Sequence, residues 1–191
     1  MTAEPKHQVL RLRKKHSPGS HERPAAADGE RLVRAQSLRH AAMAAVIAIV
    51  IFAVIWSMLT AAFGRIFPWM TMLLGVLVGF AVRHAGQGLD WRFPSLAAAL
   101  AFAGAILANF VIAAGTTAGE FDVGTLTVLR SVTTMTWPIF FDEAMIAADW
   151  VFAAFAAGIA AFYANRQLDR REYQALRVWK DDKQVGQAKD E

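Results

Sequence analysis

The sequence predicts an all-α membrane protein with four transmembrane helices, both termini cytoplasmic, and a short amphipathic outer-surface helix between helices 3 and 4. Two observations carry this prediction. Hydrophobic residues make up 55 % of the 191 residues and cluster in blocks instead of following one helical stripe. Basic residues flank those blocks. A membrane span needs about 20 consecutive apolar residues, and the blocks at 41–63, 66–82, 95–115 and 146–164 approach or meet that length.

The four blocks differ in their interruptions. The first contains no charged residue, the third is interrupted by Asn109, and the fourth contains Asp149 near its start. The second is short, and Pro68 suits its first helical turn. Trp56 is expected at the outer interface, where amphipathic aromatic side chains settle. The first block could instead be a cleaved signal peptide, but its long leader and long apolar run favour an uncleaved signal-anchor helix.

The distribution of basic residues predicts the orientation. Eighteen of the 20 Lys and Arg residues lie in residues 1–40, 83–94 and 165–191. The other two, Arg65 and Arg130, lie in the remaining loops. Because basic loops stay on the cytoplasmic side, the N-terminus and the C-terminus are both expected in the cytoplasm.

Three domains follow from this arrangement. Residues 1–39 are predicted to be a disordered basic cytoplasmic tail, 40–165 a four-helix transmembrane domain, and 166–191 a basic cytoplasmic C-terminal helix and tail. The helix of the first span is expected to begin within residues 31–40. The last span is expected to continue as a helix through residues 166–180.

The basic flanks predict contacts with membrane lipids. The cluster at residues 11–16 could bind nucleic acid or a protein, but a solvated tail near anionic lipid is the preferred interpretation, with no nucleic acid as a partner. The arginines closest to the predicted spans are expected to contact lipid headgroups. These are Arg31, Arg34, Arg39, Arg83, Arg166, Arg170 and Arg171.

Small residues recur at helical spacing in three of the four blocks. Glycines or alanines four apart lie on one helix face and let another backbone approach closely. The candidate helix-packing residues are Gly75, Gly79, Ala101, Ala105, Ala157 and Gly158. The repetition favours a tight bundle over the alternative of a pore lined by small residues.

Residues 70–110 combine the glycine pair of the second block with Arg83, a Gly86-x-Gly88 turn, and a small-residue span that ends near Asn109. This segment resembles one found in uncharacterised small multi-spanning bacterial inner-membrane proteins. The resemblance implies a membrane location and a bacterial context, and it brings no activity or active-site residue with it.

The outer loop contains a periodic apolar segment. Leu126, Leu129 and Val132 recur every three residues, which predicts a short amphipathic helix on the outer membrane surface. Trp137 and Pro138 are expected to end that helix. A lid over a ligand is the alternative interpretation of this segment.

The sequence offers few groups for chemistry. The candidate intramembrane polar residues are Asn109 and Asp149, and ionisable groups within a membrane are functional candidates. The chain has no cysteine, its histidines are scattered, and it has no metalloprotease, hydrolase or phosphate-loop motif. We therefore expect no enzyme activity, no catalytic residue, no cofactor and no metal.

Two functional hypotheses remain from the sequence. The preferred one is a structural or accessory subunit of a cell-envelope complex, which associates with itself or with a larger membrane complex. The alternative is a small oligomeric transporter or channel. The transporter hypothesis requires a polar pathway, and the predicted spans contain few polar residues.

Overall fold

The computed structural model describes residues 25–65, 67–133 and 136–190, without the side chains of 143 and 188–190. Within these ranges the chain forms helices and no strand, which confirms the predicted all-α class. The helices are α1 (Ala26–Arg34), α2 (Leu38–Phe63), α3 (Met70–Gly86), α4 (Arg92–Glu120), α5 (Thr125–Ser131), α6 (Trp137–Ala144), α7 (Ala147–Ala164) and α8 (Arg170–Asp190). Three of them, α2, α4 and α7, are long and apolar enough to cross a membrane. The apolar helix α3 is shorter, with 17 residues.

Local signals in the sequence define both ends of α2. The hydroxyl of Ser37 accepts a hydrogen bond from the backbone N–H of His40 at 3.3 Å, which satisfies one of the free donors at the helix start. Gly64 ends the helix in the left-handed conformation, with φ of 60°, and its N–H donates to the carbonyl of Thr60. Glycine adopts that conformation without the steric penalty of a Cβ atom. The chain therefore reverses at once into α3.

The helices α2, α3, α4 and α7 form a bundle. α3 and α4 each pack on both α2 and α7, and they contact each other across the centre. The interior is lined mainly by small side chains that are fully buried. These are Ala41, Ala45, Ala97, Ala101, Ala105, Ala108, Ala153, Ala156 and Ala160.

Large apolar side chains point away from this bundle. On α2, Val50, Ile51, Val54 and Ile55 are each about half exposed. Small residues at the contacts and large apolar residues on the outside are typical of helices that pack in lipid, where burial of apolar surface gives no drive for association. The arrangement supports a membrane protein.

The two ends of the bundle differ in charge. We call one of them the basic end: α2 and α4 begin there, α3 and α7 end there, and it carries Arg39, Arg83, Arg92 and Arg166. The other end, where the chain passes through α5 and α6, is called the opposite end.

The segments that flank the bundle differ from the prediction. α1 is ordered within the tail that was predicted to be disordered, and residues 1–24 of that tail lie outside the described residues. Residues 35–37 separate α1 from α2, so the helix of the first apolar block begins at Leu38, within the predicted range 31–40. Residues 165–169 separate α7 from α8, so the last apolar helix does not continue through residues 166–180 as predicted. α1 and α8 pack on each other instead. A nine-residue helix is unstable alone, so the order of α1 depends on a partner that is remote in sequence.

The predicted surface helix between the third and fourth apolar helices is two short helices. α5 covers Thr125–Ser131 and has no buried residue. Trp137 and Pro138 begin α6, whereas the prediction had them end a helix. Proline is favoured in the first turn of a helix because its missing N–H has no partner there. Asp142 consequently lies within α6, and α7 begins after a break at residues 145–146.

Candidate functional site

A close backbone contact in the bundle joins α3 to α7. A Cβ atom placed on Gly75 would overlap the carbonyl oxygen of Ala156 and lie 2.8 Å from its Cα atom. A Cβ atom on Gly79 would lie 2.8 Å from the carbonyl oxygen of Ala160. Both glycines thus face the backbone of α7, at a separation that any side chain at these positions would prevent.

The other predicted packing residues divide into two groups. Ala101 and Ala105 of α4 are fully buried in the bundle. Ala157 is half-buried, and Gly158 is exposed, with no atom within 4 Å of its Cβ position. The buried stripe of α7 runs instead through Ala153, Ala156, Ala160 and Ala164. The prediction chose the wrong face because α7 contains alanine on almost every side.

Asn109 lies buried in α4, where it faces the break between α6 and α7. Its side-chain amide donates to the sulfur of Met145, which is itself buried, over 3.7 Å. A thioether is a weak acceptor. Asn109 therefore helps to hold the α6–α7 joint, and it makes no described hydrogen bond to a polar side chain within the spans.

An aromatic cluster surrounds this joint and attaches α6 to the bundle. The ring of Phe110 lies 5.2 Å from Trp137, 5.9 Å from Phe140 and 5.4 Å from Phe141, measured between ring centroids. Phe141 in turn contacts Trp150 of α7 at 5.9 Å. Such pairs contribute beyond their buried area, so these rings position α6 against α4 and α7.

Asp149 lies in the first turn of α7 and is half-buried. Its carboxylate accepts a hydrogen bond from the backbone N–H of Ile146 at 3.0 Å. This bond satisfies a donor at the helix start, where the helix dipole also favours a negative charge. The geometry gives Asp149 a capping role at the opposite end of the bundle.

Two buried polar atoms in α2 have no hydrogen-bond partner among the described residues. They are the indole nitrogen of Trp56 and the hydroxyl of Thr60. Trp56 is fully buried, whereas the prediction placed it at a membrane interface. Its four-residue spacing from Thr60 puts both on one helix face, a signal that the sequence contained and the prediction did not use.

The basic end of the bundle contains a hydrogen-bonded junction, which joins the segment before α2, the loop between α3 and α4, the segment after α7 and the first turn of α8. The backbone N–H of Ser37 donates to the carbonyl of Gly86 at 3.0 Å, and that of Leu89 donates to the side chain of Gln36 at 3.3 Å. The segment before α2 is thereby fixed to the loop that joins α3 and α4.

Arg166 fixes the same loop to the segment after α7. Its guanidinium donates to the side-chain oxygen of Gln87 at 2.8 Å and to the carboxylate of Glu172 at 2.7 Å. Its backbone N–H donates to the carbonyl of Gly88 at 3.3 Å. Arg166 was predicted to contact lipid headgroups, but its side chain is only 25 % exposed and is occupied by these partners.

Gln87 has an unusual conformation at this junction. It ends α3 with φ of 47°, a left-handed conformation that usually favours glycine. A glycine there would have no side chain to accept the hydrogen bond from Arg166. The strained residue therefore provides the acceptor that joins the α3–α4 loop to the C-terminal segment.

The remaining predicted headgroup arginines lie on the surface. Arg31, Arg34, Arg39, Arg170 and Arg171 are exposed, and Arg34 pairs with Glu30 at 2.7 Å. Arg83 is half-buried in the last turn of α3, and within the described residues no carboxylate lies within 4 Å of it. These positions are compatible with headgroup contacts, which stay a prediction.

The helices α1 and α8 form a pair beyond the basic end. Gly29 faces α8, and a Cβ atom there would lie 2.5 Å from the carbonyl oxygen of Ala175 and 2.7 Å from the Cβ atom of Trp179. Among the described residues, neither α1 nor α8 packs against α2 to α7. The pair is therefore attached to the bundle through the junction alone.

Comparison with known proteins adds no assignment. No family model, no curated protein and no solved structure matches this chain. Within the described ranges, no three His, Asp or Glu side chains come together as candidate metal ligands. The interpretation of the site thus depends on its own geometry.

Proposed function

We propose that the protein is a four-span subunit of the bacterial inner membrane, with both termini in the cytoplasm, which acts as a structural or accessory component of a cell-envelope complex. In this proposal α3 is the fourth span, alongside α2, α4 and α7. Its 17 residues are at the short end of the length that crosses hydrocarbon. The 18 basic residues that flank one side support the orientation.

One observation carries the proposed role. The pair α1–α8 packs on no other described helix and is held over the basic end by the Arg166 junction. A membrane bundle that presents a separate, ordered helical pair in the cytoplasm has a surface for a partner protein. Polar groups inside the bundle are few, which favours this role over transport.

The transporter or channel alternative has one observation in its favour. Among the described residues, the Trp56 indole nitrogen and the Thr60 hydroxyl are buried on one face of α2 without a hydrogen-bond partner, and unsatisfied polar groups are costly away from water. A transported polar molecule would satisfy them. We rank this alternative second because Asn109 and Asp149, the two candidate intramembrane polar residues, already have hydrogen-bond partners.

The orientation can be tested with reporter fusions on the full chain. A phosphatase fused at the C-terminus should be inactive, and one inserted at residue 124 should be active. An active C-terminal phosphatase would contradict the proposed topology.

The partner role can be tested with a pair of matched glycine variants. Gly29→Leu should separate α1 from α8, whereas Gly186→Leu adds the same side chain to α8 where no atom of the described residues lies within 4 Å. Complexes isolated in mild detergent should contain a stoichiometric membrane partner with native protein and Gly186→Leu, and lose it with Gly29→Leu. Ion flux through proteoliposomes of the purified protein, without any partner, would favour the alternative.

A further inference from the structure

An apolar groove lies on the face of α7 that points away from the bundle. It has a volume of about 520 Å³ and runs from Val151 to Tyr163. Gly158 and Ala154 form its floor, and no atom lies within 4 Å of the Gly158 Cβ position. The exposed rings of Phe155 and Phe162 stand on either side of Gly158 along the helix. The groove therefore exists because a glycine lies between two large aromatic residues.

The dimensions of the groove indicate what fits it. Twelve residue steps of 1.5 Å give a length of about 18 Å, close to the thickness of one leaflet, about half of the 30 Å hydrocarbon core. A methylene chain at carbon contact distance has a cross-section of roughly 16 Å². The groove, with its volume of about 520 Å³, is therefore long and wide enough for one acyl chain.

The end of the groove near the basic end carries positive charge. Tyr163 contacts Phe80 of α3 at 5.0 Å between ring centroids, and Phe80 is stacked on His84 at 6.4 Å. Arg83 lies one turn beyond Gly79, on the face that meets α7. As described above, Arg83 has no carboxylate within 4 Å among the described residues. A guanidinium and an imidazole at the mouth of an apolar groove complement a phosphate that is attached to an acyl chain.

We propose that this groove binds one anionic phospholipid, with an acyl chain along Gly158 and the phosphate at Arg83 and His84. The lipid belongs to the leaflet at the basic end, because the groove ends there, at Tyr163, and is about one leaflet long. This inference rests on the membrane location given under the proposed function, and it does not require a partner protein or a particular orientation.

The test uses the full chain, purified in mild detergent, stripped of lipid, and titrated with phosphatidylglycerol or phosphatidylcholine under native mass spectrometry. The native protein should bind one phosphatidylglycerol at least ten-fold more tightly than phosphatidylcholine. Gly158→Phe should weaken phosphatidylglycerol binding at least ten-fold, because the new ring fills the floor. Arg83→Gln should reduce the preference for phosphatidylglycerol to less than three-fold.

Ala103→Phe is the matched control, since Ala103 is exposed on α4 outside the groove; its binding should equal that of the native protein. Equal binding of both lipids by the native protein, or unchanged binding by Gly158→Phe, would overturn the proposal. A native dimer that Gly158→Phe dissociates would overturn it too, because a second copy would then occupy the groove. Recovery of these variants in the membrane fraction tests the membrane location independently of lipid binding.

Discussion

The contact between α3 and α7 allows a sharp test of how this bundle is held together. Replacing Gly75 with alanine adds one carbon that would overlap the carbonyl oxygen of Ala156 and lie 2.8 Å from its Cα atom. Ordinary contacts begin near 3.4 Å, so relief of the contact with the Cα atom alone requires the two helices to separate locally by about 0.6 Å, and the nearer carbonyl oxygen requires more. Overpacking of this kind costs about 1–3 kcal/mol of the free energy of unfolding.

The same substitution also raises the free energy of unfolding, because alanine favours a helix more than glycine does. Comparison with a second glycine variant removes this contribution. Alanine is about 1 kcal/mol better than glycine within a helix. Gly158→Ala has the same favourable effect on the helix α7 without a clash, because no atom of the described residues lies within 4 Å of its Cβ position. The difference between the two variants isolates the clash, and it corresponds to about five-fold to 160-fold in the unfolding equilibrium.

The measurement is unfolding in mild detergent titrated with sodium dodecyl sulfate, followed by circular dichroism and tryptophan fluorescence. Gly75→Ala should unfold at a lower mole fraction of dodecyl sulfate than Gly158→Ala. If the two variants agree within about 0.5 kcal/mol, the α3–α7 contact is not the close approach described here, and the packing argument fails.

Three other substitutions test the capping, polar and junction contacts. Arg166→Gln should increase protease cleavage between α7 and α8 about five-fold, since a partly exposed ion pair contributes up to about 1 kcal/mol; Arg170→Gln, at an exposed position, should leave the cleavage rate unchanged. Asp149→Asn should lower stability by under about 1 kcal/mol, because asparagine also accepts the capping hydrogen bond. A larger loss, or a proton or cation flux in proteoliposomes that this variant abolishes, would give Asp149 a different role. Asn109→Leu should lower stability by roughly 0.6 kcal/mol, the average for hydrogen bonds between membrane helices. A loss greater than that of Gly79→Leu would show that polar contacts contribute more than close packing to the stability of this bundle.

The apolar helices were predictable from the sequence for a simple physical reason. A segment in hydrocarbon must satisfy its backbone hydrogen bonds internally, so a long apolar block predicts a helix wherever it occurs. The observed α2, for example, begins three residues before the predicted block and ends with it, at Phe63. The role of Gly75 and Gly79 in a close helix contact also followed from their spacing.

The packing face of α7 was beyond this reasoning. Ala153, Ala157 and Ala161 are as regular as the stripe that is buried, Ala153, Ala156 and Ala160. Two alanine stripes of equal size are distinguished only by the residues that face them, and those residues belong to α3 and α4. The choice thus depends on tertiary contacts that one helix does not encode.

The junction at the basic end was missed for a related reason. Gln87 and Arg166 are 79 residues apart, and nothing near either one in sequence indicates the other. Arg166 follows a predicted span, so the positive-inside rule explained it fully as a headgroup contact. A residue can satisfy that rule and still be occupied by protein partners.

The pairing of α1 with α8 has a consequence for the order in which the chain matures. α1 is among the first described segments to leave the ribosome, and α8 is the last, roughly 150 residues later. At translation rates of about 5–20 residues per second, α1 waits roughly 7–30 seconds for its partner. During that time Gly29 and the apolar side of α1 are available to chaperones and proteases. Closure of the pair therefore requires that α8 has been made, and a truncated product that ends before Ala175 would leave α1 open to quality control.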